Sequence, residues 1–152
     1  MHYEHTQRGY LHWLLLLPAG AMMIEAVWLA REAPPLAVIV AAAGLVIVVA
    51  GLMFGRLTVR DEGQWLALRF GPLPFIARRV DYADITAAEP DRIWIIDGWG
   101  INWVPGRGWT CNVWGFQSVR LTVRGRTMRV GTDDPQGLAA FLRTKLAARH
   151  EH

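Results

Sequence analysis

The sequence predicts a membrane protein in which two transmembrane α-helices precede a small α+β domain. Three observations carry this expectation. Pro34 to Phe54, PPLAVIVAAAGLVIVVAGLMF, holds no charged and no hydrogen-bonding side chain. Some twenty residues at ~1.5 Å each reach roughly 30 Å, the thickness of a bilayer's hydrocarbon core. Leu11 to Ala30, LHWLLLLPAGAMMIEAVWLA, is nearly as long and as apolar. From Gly55 onward the pattern changes to short alternating runs broken by glycine, proline and aspartate, ending in one amphipathic helix.

Residues 1–10 read as a polar lead, and the two spans at 11–30 and 34–54 form one unit. Only Arg31, Glu32 and Ala33 lie between the spans, so they fold back as an antiparallel hairpin with both ends on one side of the membrane. Pro18 is expected to kink the first span, and Glu25 places a carboxylate among apolar residues. Glu25 sits near enough to the turn to reach the interface by snorkelling or to be protonated; an ion or proton path is the alternative. Ala19-Gly20-Ala21 also fits a signal-peptidase site, but Arg8 is the only fixed positive charge before it and the apolar run continues to Ala30. Arg8, Arg56 and Arg60 flank the hairpin's open end against Arg31 at its turn, which orients the rest of the chain toward the cytoplasm. Gly44, Gly51 and Gly55 recur on nearly one helix face, a stripe for close packing within the hairpin or between copies.

The water-soluble part is read as residues 55–147 with a short tail at 148–152. It has Arg56 to Arg60 as a strand, Asp61 to Gln64 as a turn and Trp65 to Phe70 as the hairpin partner. Gly71 to Pro74 breaks the chain. Phe75 to Val80, Ile85 to Glu89, Thr110 to Val113, Ser118 to Val123 and Thr127 to Val130 are further strands, and Arg92 to Ile96 is another apolar run. Asp134 can cap a helix opened by Pro135, with Leu138, Phe141, Leu142 and Leu146 as its apolar stripe. About seven strands closed by that helix describe a small, strongly bent sheet.

These stretches resemble the bacterial pleckstrin-homology-like (PH-like) domains attached to membrane hairpins. The resemblance is carried by Leu57-Thr58-Val59, Leu66 to Pro72, Val80 to Ile85, Gly98 to Ile101 and Arg129 to Pro135, in that order. It implies a seven-stranded bent antiparallel barrel with a C-terminal helix, and a binding scaffold rather than one set function. Eukaryotic relatives often bind phosphoinositides through a basic loop between the first two strands. Here that loop is Asp61-Glu62-Gly63-Gln64, which is acidic and does not favour that route.

Composition excludes more chemistry than it offers. Cys111 is the only cysteine, and no histidine falls between Thr58 and Arg149, so neither a thiol nor Ser118 has a base beside it in the domain. No phosphate-binding glycine loop with its lysine occurs. Histidines cluster only on the terminal segments, a weak basis for a metal site. No enzyme activity, cofactor, metal or nucleic-acid partner is expected. Asp97 beside Gly98 reads as a turn residue.

Trp94 to Trp114 is the unusual stretch. Five tryptophans alternate with glycines, which suits a loop or hairpin presenting rings to a protein partner or to the membrane interface. Trp94 and Trp114 are expected to fill the core, whereas Trp99, Trp103 and Trp109, with Arg107, are candidate partner-binding residues. From Gly55 onward 14 Lys/Arg stand against 10 Asp/Glu. Arg78, Arg79, Arg120 and Arg124 are the candidate contacts to anionic lipid, with a solvated sheet face as the plainer explanation. The expected function is a membrane-held, non-catalytic binding domain for a membrane protein partner or for further copies of itself; an anionic-lipid sensor is the alternative.

Overall fold

A computed structural model describes residues 2–10, 12–72 and 76–150. Leu11, Phe75 and His152, which bound the predicted first span, the third predicted strand and the tail, lie outside the described residues.

Strand β1 (Glu4–Arg8) comes first, from the segment read as a lead. Helices α1 (His12–Glu32) and α2 (Pro34–Met53) follow, each long and apolar enough to cross a membrane. α1 runs unbroken through Pro18, and Ala33 alone joins it to α2. Strands β2 (Arg56–Asp61), β3 (Trp65–Phe70) and β4 (Ile76–Asp81) then complete a four-stranded antiparallel sheet in the order β1-β2-β3-β4. The helical hairpin is therefore inserted into a β-hairpin. Arg8 is the ladder partner of Arg56, and Gly9 N–H donates to the Gly55 carbonyl at 2.9 Å, so both helix ends are tied to one sheet.

The second sheet contains β5 (Ile85–Arg92), β6 (Gly100–Val104), β7 (Gly108–Asn112), β8 (Gln117–Val123) and β9 (Arg126–Gly131), ordered β5-β8-β9-β7-β6. Helix α3 (Pro135–His150) packs on β5 and β8. Its start matches expectation: Asp134 accepts from Gly137 N–H at 2.9 Å, and Leu138, Leu142 and Leu146 are buried.

The two sheets do not close into a barrel, which corrects the expected bent barrel. A 3-10 turn at Tyr82–Asp84 swings the chain out of the first sheet, so β4 pairs only with β3 and β5 only with β8 among the described residues. The described residues hold nine strands rather than seven, and β7 runs parallel to β9 rather than antiparallel. The run from Arg92 to Ile96 is not a separate strand. β5 ends at Arg92, and residues 93–99 cross from one edge of the second sheet to the other, with a 3-10 turn at Ile95–Asp97.

Alternation builds the core. Leu57 and Val59 of β2, Leu66, Leu68 and Phe70 of β3, and Val119, Leu121, Met128 and Val130 of β8 and β9 face inward against α3. Gly71 closes the first sheet against the hairpin: its φ is +74°, and a Cβ there would lie 2.8 Å from the Met53 Cα.

Candidate binding groove

The seam where the sheets fail to close is a groove of about 740 Å³, between the free edge of β4 and the ends of β7 and β9. Trp65 and Trp109 are its aromatic lining. Arg78 and Arg79 of β4, Arg124 of the β8–β9 turn and Arg126 at the start of β9 also line it, with Asp81 and Asp84. The Arg78 guanidinium lies 5.0 Å from the Trp109 ring centre, an arginine–ring stack that keeps the cation at the groove surface. A second hollow of about 640 Å³ shares Trp109 and Arg126 and is walled by Trp103 and Arg107.

Charge in the groove is unevenly satisfied. Arg79 donates to Glu62 at 2.9 Å and Arg124 pairs with Asp84 at 2.8 Å. Arg78 and Arg126 hold no carboxylate among the described residues. Four arginines against two aspartates leave the lining cationic, and two of those cations are open to a ligand.

The groove lies at the end of the domain away from the helices. β2 leaves α2 at Arg56 and reaches Asp61, a run on the order of 17–20 Å at ~3.3 Å per residue. At that far end Trp65 pairs with Asp81, Tyr82 N–H donates to the Gln64 carbonyl at 3.1 Å, and Arg124 N–H donates to the Asp84 carbonyl at 2.9 Å.

The candidate partner residues separate into three places. Trp103 and Trp109 are cross-strand neighbours on the β6–β7 hairpin, Trp109 lining the groove and both lining the second hollow. Gly108 makes that hairpin possible: its φ is +86°, and a Cβ would meet the Thr127 carbonyl oxygen at 2.1 Å. Arg107 instead serves the fold. It donates to both oxygens of the fully buried Asp97 at 2.6 and 2.7 Å, and Trp94 N–H adds a third hydrogen bond at 2.7 Å. Arg107 and these bonds hold the Asp97 carboxyl below its usual range. Trp99 lies elsewhere, stacked on Trp114 with ring centres 6.4 Å apart. Trp94 and Trp114, expected in the core, are exposed: Trp94 lies on the crossing segment and Trp114 in the connection from β7 to β8, so neither is carried by a strand facing the core.

Of the candidate lipid-contact arginines, Arg79, Arg120 and Arg124 each hold a carboxylate, Arg120 through Glu89 at 2.6 Å, and Arg78 lies over Trp109. Arg79 and Arg124 belong to the end farthest from the helices. In the hairpin, a Cβ at Gly44 would lie 3.2 Å from the Met23 sulfur, and one at Gly51 3.1 Å from Leu16 Cδ2, so both pack against α1. Gly55 lies past α2 in the junction to β2. Glu25 is exposed on α1.

Cys111 is buried in β7, and burial pushes its thiol up to about 11. No group of three or more metal-ligating side chains occurs among the described residues. The groove itself was not visible in the sequence: Arg78 and Trp109 fall in distant strands, and only the open seam brings them together. No protein-family model matches the chain, and no curated protein matches it.

Proposed function

We propose that the chain is a non-catalytic integral membrane protein whose helical hairpin holds a PH-like binding domain, and that the domain takes a protein partner in the open groove. The bacterial inner membrane with the domain in the cytoplasm is the location supported by the flanking arginines, Arg8, Arg56 and Arg60 against Arg31. One observation carries the functional reading: the cationic, tryptophan-lined groove runs along the free edge of β4. An unpaired strand edge offers main-chain hydrogen bonds to an extended segment, and Arg78, Arg126 and Trp109 would select acidic and apolar side chains on it. The partner is an acidic segment of another membrane-associated protein or of a second copy.

Site-specific photo-crosslinking in cells tests this. A photoreactive residue at Arg126 is expected to give a discrete adduct that disappears when Arg78 is changed to Glu, while the same residue at exposed Thr144 on α3 gives none. An adduct at twice the chain's mass identifies self-assembly; any other discrete mass identifies a different partner. Equal, diffuse labelling at both positions would overturn the reading.

A further inference from the structure

Three consecutive large apolar side chains, Trp94, Ile95 and Ile96, are 65, 76 and 73% exposed on the crossing segment. A water-soluble surface rarely leaves so much apolar area in one run. Both flanks of the segment are held at the helix-bearing end of the domain. On one side, Ile93 N–H donates to the carbonyl of Phe116, itself exposed. On the other, Trp99 stacks on Trp114, whose ring meets Tyr10 edge-on at 5.8 Å, two residues before α1 begins. The next residue, Gly100, lies against the Phe54 ring at the end of α2: a Cβ there would be 3.0 Å from its Cε1.

Cations frame the same end. Arg8 and Arg56 are ladder partners at the base of the helices, and Arg92 immediately precedes the crossing segment. All three are exposed, and none of their guanidiniums pairs with a carboxylate among the described residues, although the Arg92 N–H donates to Asp91 at 2.8 Å. Elsewhere in the domain Arg79, Arg120 and Arg124 are neutralised by acidic neighbours, whereas Arg78 and Arg126 line the groove. Amphipathic rings beside free arginines are the composition that settles at a bilayer's phosphate level, the rings among upper acyl chains and the guanidiniums on phosphates.

We infer that the crossing segment Trp94–Ile96, with Trp99, Trp114 and Phe116, is a collar seated in the head-group region of the same bilayer that α1 and α2 span. Arg8, Arg56 and Arg92 hold lipid phosphates around it. The domain is then fixed against the membrane at three places, two helices and one loop, and cannot swivel on the hairpin. This goes beyond the groove reading and rests on the spanning of α1 and α2.

The test uses the full chain in bilayers of phosphatidylcholine and phosphatidylglycerol, with single cysteines carrying an environment-sensitive fluorophore. Native Cys111 is buried and stays unlabelled. Nitroxides placed shallow or deep on the lipid chains serve as quenchers. Ile95→Cys is expected to show a blue-shifted emission lost to the shallow nitroxide, Val46→Cys to be quenched by the deep one, and Arg126→Cys by neither. If Val46→Cys is quenched and Ile95→Cys behaves like Arg126→Cys, the collar is overturned while the spans stand. If Val46→Cys is not quenched, the spans fail and the collar fails with them. Disulfide-linked dimers through Ile95→Cys, without lipid quenching, would make the patch a contact between copies and also overturn it.

Discussion

Among the described residues, Asp97 and Asp61 are the two carboxylates the fold takes out of water, and each is compensated in full. Asp97 anchors the crossing segment through Arg107 and the Trp94 amide. Asp61 lies at the end of β2, where it accepts from Lys145 at 3.1 Å, from Tyr82 at 3.0 Å and from Gly63 N–H at 3.0 Å. Burial alone raises the Asp61 carboxyl, but the Lys145, Gly63 and Tyr82 hydrogen bonds outweigh it and leave it below its ordinary 3.8. Both carboxyls thus titrate lower when folded than when unfolded. Their contribution is complete above about pH 4 and is lost as pH falls through the folded values. We predict a melting temperature flat from neutral pH to about pH 5 and falling steeply below pH 4. Asp97→Asn should lower stability by about 2 kcal/mol at neutral pH, at the low end for a broken buried pair because Arg107 remains partly wet. The same variant should shorten the acid limb; an unchanged limb would mean the Asp97–Arg107 pair contributes nothing.

Elements differ in how plainly the sequence announces them. α3 was legible down to its cap because Asp134-Pro135 and the leucine stripe are local signals. β1 was hidden because its inward positions are polar or aromatic: Tyr3, just before it, stacks on Phe141 at 5.1 Å, and Gln7 is buried with its amide on the Trp114 carbonyl at 2.7 Å. The crossing segment shows the opposite case: Trp94-Ile95-Ile96 has strand composition without strand partners, and Trp94, expected in the core, is exposed. In the hairpin the small residues could be found from sequence but not assigned to faces. Gly44 and Gly51 face α1, whereas a Cβ at Gly20 meets no atom within 4 Å. Gly51→Leu should therefore overpack the helix pair and lower the detergent-solubilised protein's melting temperature, a cost of roughly 1–3 kcal/mol. Gly20→Leu should leave the monomer's stability unchanged. A loss of oligomer on Gly20→Leu alone, read by light scattering in detergent, would locate a contact between copies on the open face of α1.

At the scale of the whole molecule, the fold has an axis: helices and collar at one end, groove at the other. The sequence showed the two halves but not how they are joined, because the join is the β1–β2 ladder between segments nearly fifty residues apart. That join has a consequence for dissection. A fragment starting at Gly55 lacks β1, exposes the edge of β2 and uncovers Phe141, so it should be unstable and prone to associate through the bare strand. Replacing residues 10–54 with an Asn-Gly turn should succeed instead, because Gly9 and Gly55 are already hydrogen-bonded neighbours at the end of an antiparallel ladder. Such a chain keeps all nine described strands and α3 and loses only the helices. We predict that it folds cooperatively, by thermal melting followed at the tryptophans, while the Gly55 fragment shows no sharp transition. Its mass then separates the two sources of assembly. If the turn-closed domain is a monomer and the full chain an oligomer in detergent, copies meet through the helices and the groove is left to another partner. If the turn-closed domain forms the same oligomer, the groove or the collar is the contact, and Arg126→Glu tells them apart, since only a groove contact should be lost.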